Sequence, residues 1–590
     1  MKTKNEEQAR QGALSEWIRG GSPWPDLILI ALLWIAAGLL INPVGDFPIN
    51  DDWVYKLSVE RVLRDGTFAL PSGATANVVI QAYWGALFCL PFGLSYTALR
   101  ISSLTLALFG LWAAYGTARE IGARRSLALA AAATFAVAPL YLPGAASFMT
   151  DVPFTNVVGI AIYCLTRGMQ RSDGRFIVVA FAVALASVLH RQFGLLLVIA
   201  FGVAQVAQSR GSIRSVILLV GTTALAVSIH LGFQHWMVAT HRIVVVVIGS
   251  GADFGPGLDL KKWGIAVANF LVLLPYLGVM LLPLYCATCF SSARAFIIEK
   301  PWTARTIAVL AVLAQLAAAW NREKMFPDYG NNLTQMGLGP TLLYDRWLLD
   351  INHPPMPFPH AVWTLLFLTG TIGVAAIIVD LAAAAARLTR GFVGKNWSGA
   401  PWIDGAVLAN VLLYGLLVCM MTVKPSAFDR YMLPFMPPMA LLILAYNDHG
   451  CRWTKKRIAS VALTIGCFGL FSVVATADYL AWHRTRLLAT DALAQIHIPP
   501  EKIDGGYEYN GNIFGTRTIH PDWSKPFERS WWWLYDDEYV VGGGPVPGYR
   551  IVRRFPYYRS LSRTWDQVVI LRRLPGSRGE AGNFRPPAYR

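Results

Sequence analysis

Charged residues are scarce in this chain of 590 amino acids. Asp, Glu, Lys and Arg make up 15% of the residues, and hydrophobic residues make up 55%. Soluble domains carry about 25% charged and about 45–50% apolar residues. With a mean hydropathy of +0.44, this shortage of charge excludes a disordered chain, a fibrous protein and a conventional soluble enzyme. Lipid must therefore be the solvent for most of the chain.

Cysteine is also sparse, at seven residues. Most of the cysteines lie inside apolar runs, where small buried residues are expected. Cys286 and Cys289 have C-x-x-C spacing, but no second Cys or His pair follows to complete a zinc site. The cysteines therefore give no indication of a metal centre.

Apolar runs, in contrast, are abundant, and they predict thirteen transmembrane helices. The predicted spans are 27–42, 97–117, 127–142, 152–165, 176–189, 193–208, 215–237, 264–286, 307–320, 361–386, 405–422, 431–446 and 458–476. A further apolar run, 82–92, is too short to span and ends in Leu-Pro-Phe-Gly. If it lies along the membrane without crossing, every strongly basic short loop falls on one side, as the positive-inside rule requires.

The net charge of +16 therefore indicates orientation and not nucleic-acid binding. We predict a cytoplasmic N-terminus (1–22), a transmembrane domain (23–477) with a long first outer loop (43–96), and an extracytoplasmic C-terminal domain (478–590). That last domain has a helical stretch at 486–496, a glycine turn at 542–544 and strand-like runs at 549–552 and 567–571. The predicted fold class is an all-α polytopic membrane protein with a small C-terminal α/β domain.

Carboxylates at the predicted outer surface are the first candidates for chemistry. Asp51 and Asp52 follow the first span, and Asp151 begins the fourth. Each has a simpler interpretation as a helix cap or solvated turn. Together they predict a cleft in which a carboxylate removes a proton from an acceptor hydroxyl or amine.

Cationic residues also lie at the predicted outer surface, although most Lys and Arg residues of the short loops lie on the predicted cytoplasmic side. His190 and Arg191 separate the fifth and sixth spans, and Lys424 and Arg430 separate the eleventh and twelfth. Guanidinium groups bind phosphate oxygens bidentately, so an anionic lipid headgroup is the expected ligand. Snorkelling by ordinary boundary residues is the alternative.

Five motifs in this order resemble those of the GT-C glycosyltransferases, a group that includes the protein O-mannosyltransferases and the bacterial lipid A aminoarabinose transferases. The first motif is Asp51-Asp52-x-x-Tyr55, which resembles the D-[DE]-x-x-Y signature of the group. The remaining four are Phe92-Gly93 with Leu99-Arg100, Thr150-Asp151-Val152-Pro153, His190-Arg191-Gln192-Phe193-Gly194, and Arg430-Tyr431-x-x-Pro434-x-x-Pro437-Pro438. The resemblance covers residues 25–480.

The resemblance implies a glycosyltransferase of the plasma (inner) membrane that moves a sugar from a polyprenyl-phosphate donor to an extracytoplasmic acceptor. That acceptor would be a glycolipid, a lipopolysaccharide or a protein. Carried over to this chain, Asp51 is the general base, with Asp52 and Asp151 as further acidic positions. The implied lipid-phosphate ligands are Arg191, Arg430, His190 and Lys424, and the expected substrate-binding aromatics are Tyr55, Tyr83, Trp84 and Tyr431.

Metal dependence is the point at which the chain departs from some relatives. Those relatives carry a Glu-Lys-Pro-like element before the juxtamembrane helix, and its Glu helps to bind a metal. Residues 76–81 have no carboxylate here, and no H-x-x-H pair occurs in the outer loops. The sequence therefore identifies no cofactor, and a divalent metal stays an open alternative that the ligand spacing does not support.

Two other functions remain open at this level. A transporter or flippase for a lipid-linked saccharide has a similar size, but it generally needs ionisable or broken-helix sites near the midplane. The predicted spans are almost free of charge at their centres, which favours the enzyme. A non-catalytic receptor leaves Asp51 and Asp151 without a role.

Overall fold

The computed structural model describes most of the chain. The described residues are 22–70, 74, 76–242, 257, 259–322, 326–327, 332–335, 337–339, 357–395, 397–423, 428–447, 453–514 and 537–576. Helices dominate them, and each of the thirteen predicted spans coincides with helical structure. The predicted class, a polytopic helical membrane protein with a small C-terminal sheet, is confirmed.

The helices before residue 300 include both long apolar segments and short ones. They are α1 (Trp24–Ile41), α2 (Asp52–Asp65), α3 (Val79–Phe92), α4 (Tyr96–Glu120), α5 (Arg125–Val137), α6 (Tyr141–Ala145), α7 (Asp151–Arg171), α8 (Gly174–His190), α9 (Gly194–Gln208), α10 (Ile213–Ala239), α11 (Leu260–Thr288) and α12 (Ser291–Glu299). Helices α2 and α3 lie in the first outer loop, and α3 is the helix predicted not to cross.

The later helices include the longest helix of the described chain, α17 (Lys455–Gln495). They are α13 (Pro301–Arg322), α14 (His360–Gly394), α15 (Pro401–Met421), a 3-10 helix (Asp429–Phe435), α16 (Met436–Ala445), α17 (Lys455–Gln495) and α18 (Tyr507–Phe514). By length and composition, eight helices of the described chain are able to cross a membrane: α1, α4, α10, α11, α13, α14, α15 and α17. That the remaining predicted spans also cross the membrane stays a prediction.

Two predicted spans differ from continuous helices because of proline. Span 127–142 breaks between α5 and α6 at Ala138-Pro139. Span 431–446 begins instead as the 3-10 helix and continues as the ten-residue α16. Pro434, Pro437 and Pro438 remove backbone N–H donors there. The 3-10 helix is buried throughout and α16 is buried up to Leu444, as irregular backbone inside a membrane must be.

The C-terminal region follows α17 directly. This helix continues past residue 477, so the predicted domain division falls within it. Strand β3 (Ile503–Asp504) precedes α18, and strands β4 (Tyr539–Gly542), β5 (Tyr549–Arg559) and β6 (Thr564–Arg573) follow it. The four strands form one sheet in the order β3-β4-β6-β5. A separate two-stranded ribbon, β1 (Leu333–Thr334) with β2 (Gly337–Leu338), lies in the middle of the chain. The strands predicted at 549–552 and 567–571 are present and longer.

Glycines permit a close backbone-to-backbone approach between two helices, α11 and α14. A Cβ atom on Gly278 of α11 would lie 2.0 Å from the backbone oxygen of Gly370 in α14. A Cβ on Gly373 would lie 2.8 Å from Gly278. Small residues let membrane helices pack backbone to backbone, so this crossing fixes the distance between α11 and α14.

We predict that Gly278→Val destabilises the protein because the new side chain forces the two backbones apart. Overpacking of this kind costs about 1–3 kcal/mol. The measurement is the midpoint of thermal unfolding in detergent. Gly264→Val on the same helix is the control, because a Cβ there meets nothing within 4 Å. Equal midpoints for the two variants would contradict the prediction.

Candidate functional site

The two adjacent carboxylates of the first outer loop point in different directions. Asn50 has a positive φ of 53°, and the turn that it makes places Asp51 at the N-cap of α2 and Asp52 at its first residue. The side chain of Asp51 is 30% exposed, whereas Asp52 is 0% exposed. Asp51 and Asp52 are therefore adjacent in the sequence, but their side chains lie in different environments.

Asp52 belongs to the scaffold of this loop. Its Oδ1 accepts a hydrogen bond of 2.7 Å from the backbone N–H of Ile49. Burial raises the pKa of Asp52 to about 7, and the positive charge of Arg100 partly opposes that rise. Arg100 itself donates to the carbonyl oxygens of Pro43, Gly45 and Phe47. Asp52 and Arg100 therefore hold the start of the loop against α4.

Asp51 faces a different set of partners. Its Oδ1 accepts a hydrogen bond of 2.7 Å from the hydroxyl of Tyr507 in α18. Its Oδ2 lies 3.7 Å from Nη2 of Arg430 in the 3-10 helix. Asp51 is therefore a partly exposed carboxylate that a hydroxyl and a guanidinium group orient, and an exposed carboxylate oxygen is able to accept a proton.

Asp151 is bound by two arginines. Arg191 donates from Nη1 to its Oδ1 at 2.5 Å, and Nε of Arg430 lies 3.0 Å from its Oδ2. The three side chains are no more than 6% exposed. With Asp51 they form what we call the ion cluster, which is Asp51, Asp151, Arg191 and Arg430. The buried part of it carries one net positive charge.

Aromatic side chains border the ion cluster. The ring of Tyr431 lies 5.5 Å from the guanidinium carbon of Arg191 and 5.8 Å from that of Arg430. The hydroxyl of Tyr414 donates to the backbone oxygen of Tyr431 at 3.2 Å. Tyr55 is buried one helical turn after Asp51 and interacts electrostatically with Arg191. Tyr55 and Tyr431 therefore lie beside the arginines of the ion cluster, and their role in substrate binding stays a prediction.

The other predicted ligands that the structure describes contact residues outside the ion cluster. The indole of Trp84 donates to the carbonyl of Ser102 in α4 at 2.9 Å, and Tyr83 is exposed. The imidazole of His190 is buried and stacks on Phe154, with ring centroids 6.0 Å apart. Of these three side chains, His190 alone has a described interaction with the ion cluster, an electrostatic one with Arg191 and Asp151. Lys424 lies outside the described residues.

A small cleft of about 30 Å³ lies beside Asp151 and Arg430. Its other walls come from Asn50 before α2, Gly339 after β2 and Tyr479 of α17. Elements from the first loop, the middle of the chain and the last long helix therefore enclose one space. An anionic group in this space would meet Arg430 directly.

The charges of the cluster suit an anion better than a metal ion. Both oxygens of Asp151 are within ion-pair distance of an arginine. A cation placed there would meet two guanidinium groups. Within the described ranges, no group of three or more His, Cys, Asp or Glu side chains is arranged to hold a metal.

One family comparison decides which group the chain resembles. Residues 79–236 match the family described as dolichyl-phosphate-mannose-protein mannosyltransferase. The resemblance to the GT-C glycosyltransferases is confirmed over this segment. It includes α3, Asp151 and Arg191, so part of the ion cluster lies inside the matched region. No curated protein sequence matches the chain.

Three solved structures are also similar to the chain. ArnT from Cupriavidus metallidurans in the apo state is 14% identical, has a TM-score of 0.36, and covers 92% of this chain and 97% of its own. ArnT bound to undecaprenyl phosphate is 15% identical, with a TM-score of 0.36 and coverage of 93% and 98%. An Archaeoglobus fulgidus oligosaccharyltransferase with a tethered acceptor peptide is 13% identical, with a TM-score of 0.38 and coverage of 80% and 59%. Similarities at this level specify no substrate.

Two residues that contribute to the candidate site, Tyr507 and Asp429, are assigned no role by the sequence. Tyr507 carries no motif, and it lies 456 residues from Asp51 along the chain. Asp429 precedes Arg430 and accepts backbone N–H groups of Leu333 at 2.8 Å and Arg430 at 2.9 Å. It therefore ties the 3-10 helix to β1. In the sequence, the one feature that marks Asp429 as a candidate is its position next to Arg430.

We predict that Asp52 makes the stability of the protein depend on pH. The unfolded chain releases this proton near pH 4, but the folded chain keeps it until about pH 7. Stability therefore falls as the pH rises through this window, by up to about 4 kcal/mol. In Asp52→Asn that loss is absent. The measurement is the unfolding midpoint of both proteins at pH 4.5 and 7.5, and a constant difference between them would contradict the assignment.

Proposed function

We propose that the protein transfers a sugar from a polyprenyl-phosphate donor to an acceptor outside the cytoplasm. The observation that supports this most directly is the ion cluster. It combines a partly exposed carboxylate, Asp51, with a buried, net positive Arg191–Asp151–Arg430 group. The carboxylate of Asp51 can accept a proton from the acceptor, and Arg191 and Arg430 can bind the phosphate of the donor.

In the proposed reaction, Asp51 accepts the proton of the acceptor hydroxyl or amine. The acceptor oxygen or nitrogen then forms a bond to the anomeric carbon of the sugar. The bond between that carbon and the phosphate oxygen breaks, and its electron pair stays on the lipid phosphate. Negative charge therefore grows on the leaving group, where fixed guanidinium groups stabilise it.

Asp151 has a positioning role in this proposal. It is not free to act as a base, since each of its oxygens faces an arginine. Removing the carboxylate would leave two buried cations close together, which is costly. Asp151 therefore holds Arg191 and Arg430 at a fixed separation for the phosphate.

We further propose that the site faces away from the cytoplasm. The basic short loops predict this orientation through the positive-inside rule, and so place α18 and the C-terminal sheet outside. The plasma (inner) membrane, with a glycolipid, lipopolysaccharide or protein as acceptor, completes the proposal.

Transport of a lipid-linked saccharide is the second candidate, and one residue bears on it. Asp380 is buried within α14, and its Oδ2 accepts a hydrogen bond of 2.9 Å from the hydroxyl of Tyr285. Ionisable residues inside membrane helices often mark transport pathways. Asp380, however, lies in the half of α14 that leads to the basic loop, away from the ion cluster. It therefore gives the transporter weaker support than the cluster gives the enzyme.

We predict that Asp51→Asn abolishes sugar transfer. An amide cannot accept the acceptor proton, and general-base catalysis contributes about 10²–10⁴-fold. The measurement is transfer from a polyprenyl-phosphate sugar in membranes that contain equal amounts of each protein. The control is Asp65→Asn, which alters an exposed carboxylate at the other end of α2 that pairs with Arg64. Transfer by Asp51→Asn at the wild-type rate would refute Asp51 as the base.

We predict that Tyr507→Phe lowers turnover about tenfold, because Asp51 loses the hydroxyl that orients it. The donor KM and the unfolding midpoint should stay unchanged, since the ring and its packing remain. The matched control is Tyr509→Phe on the same helix. If both variants transfer sugar equally well, Tyr507 has no positioning role.

A further inference from the structure

A second cavity lies at the opposite end of α4 from the ion cluster. Helix α4 begins at Tyr96, whose N–H donates to Asp46 of the first outer loop, and it ends at Glu120. Its 25 residues extend about 37 Å at 1.5 Å per residue. This length matches or exceeds the hydrocarbon core of a bilayer, about 30 Å. The cavity therefore belongs to the other leaflet.

The cavity is a groove between the start of α1, the end of α4 and the end of α7, with a volume of about 430 Å³. One part of its lining is apolar and aromatic, and includes Phe109, Trp112 and Ile160. Phe109 is exposed, so the groove is open towards the surface of the helix bundle. Trp112 is fixed in place by a hydrogen bond of 3.0 Å from its indole to the carbonyl of Leu27.

The other part of the lining is charged and has an excess of arginine. Arg119, Arg125 and Arg167 line it together with Asp26 and Glu120. Arg171 also reaches Glu120, at 2.8 Å. The lining itself therefore has three arginines against two carboxylates, which leaves a net charge of +1 at this end of the groove.

Ion pairs orient these arginines without using all their donors. Arg125 binds Asp26 through Nε and Nη2. Arg167 binds Glu120 and the hydroxyl of Tyr163 through Nη1, at 3.0 and 3.1 Å. Its Nε–H has no hydrogen-bond partner within the described part of the chain. Arg119 donates Nη1 to the carbonyl of Ala123 at 2.9 Å.

We propose that this groove binds an anionic glycerophospholipid. Its phosphate would contact Arg119 and Arg167, and one acyl chain would lie against Phe109, Trp112 and Ile160. Charge and shape together select this occupant, because a zwitterionic lipid does not neutralise the excess charge and a free phosphate does not fill the apolar part. Basic pockets between helices on the cytoplasmic side suit such headgroups. The site is distinct from the ion cluster and does not depend on the proposed reaction.

The test uses the full chain purified in detergent, with dioleoylphosphatidylglycerol or dioleoylphosphatidylcholine added. Native mass spectrometry counts the lipid molecules that each protein retains. We expect retention of phosphatidylglycerol in preference to phosphatidylcholine. The double variant Arg119→Gln/Arg167→Gln should weaken that retention about thirtyfold, since each of the two basic groups near an anionic lipid contributes about 1 kcal/mol.

A matched variant and a steric variant complete the test. Arg210→Gln/Arg214→Gln removes the same charge from exposed positions outside the groove and should leave retention unchanged. Ile160→Trp keeps every charge but fills the apolar part, and it should reduce retention. Equal retention by wild type and the Arg119/Arg167 variant, or equal retention of both lipids, would overturn the proposal. So would a large gain in retention after deletion of residues 2–21, because that segment would then be the occupant.

Discussion

The candidate site depends on one buried carboxylate shared by two arginines. Asp151 begins α7, Arg191 follows α8, and Arg430 lies in the 3-10 helix, so a single ion-paired group joins three separate parts of the chain. Taking these charges out of water is costly, and only their mutual geometry offsets that cost. The group therefore fixes the relative positions of three helix ends, and Asp51 is placed by its contact with the same Arg430.

The polar chemistry is concentrated where the helices stop. Asp51 precedes α2, Asp151 opens α7, and Arg191 follows α8. Helix ends leave backbone donors and acceptors unpaired, and so they attract polar side chains and turns. In a bundle whose helices must present hydrocarbon to lipid, these ends are the places where charge is tolerated. The opposite ends of α4 and α7 follow the same rule and form the arginine-rich groove.

The C-terminal region contributes to the site instead of lying apart from it. Helix α18 supplies the hydroxyl that binds Asp51, and a Cβ on Gly511 would lie 2.4 Å from Trp53 of α2. The hydroxyl of Tyr96 at the start of α4 donates to Asn512 at 2.6 Å. The first outer loop is therefore packed between the helix bundle and α18.

The sequence by itself determined the helical membrane architecture, because apolar runs and basic loops act locally through transfer to lipid and through charge. It also determined that acidic and basic residues gather at the predicted outer surface, which brought Asp51, Asp151, Arg191 and Arg430 to attention. Only the tertiary structure decided that Asp52 is scaffold, that Trp84 packs on α4 and that Tyr507 binds Asp51. Asp51 and Asp52 are chemically the same in the sequence. The direction in which each side chain points depends on the segments that pack against it. Two of those segments, α2 and α18, are separated by most of the length of the chain.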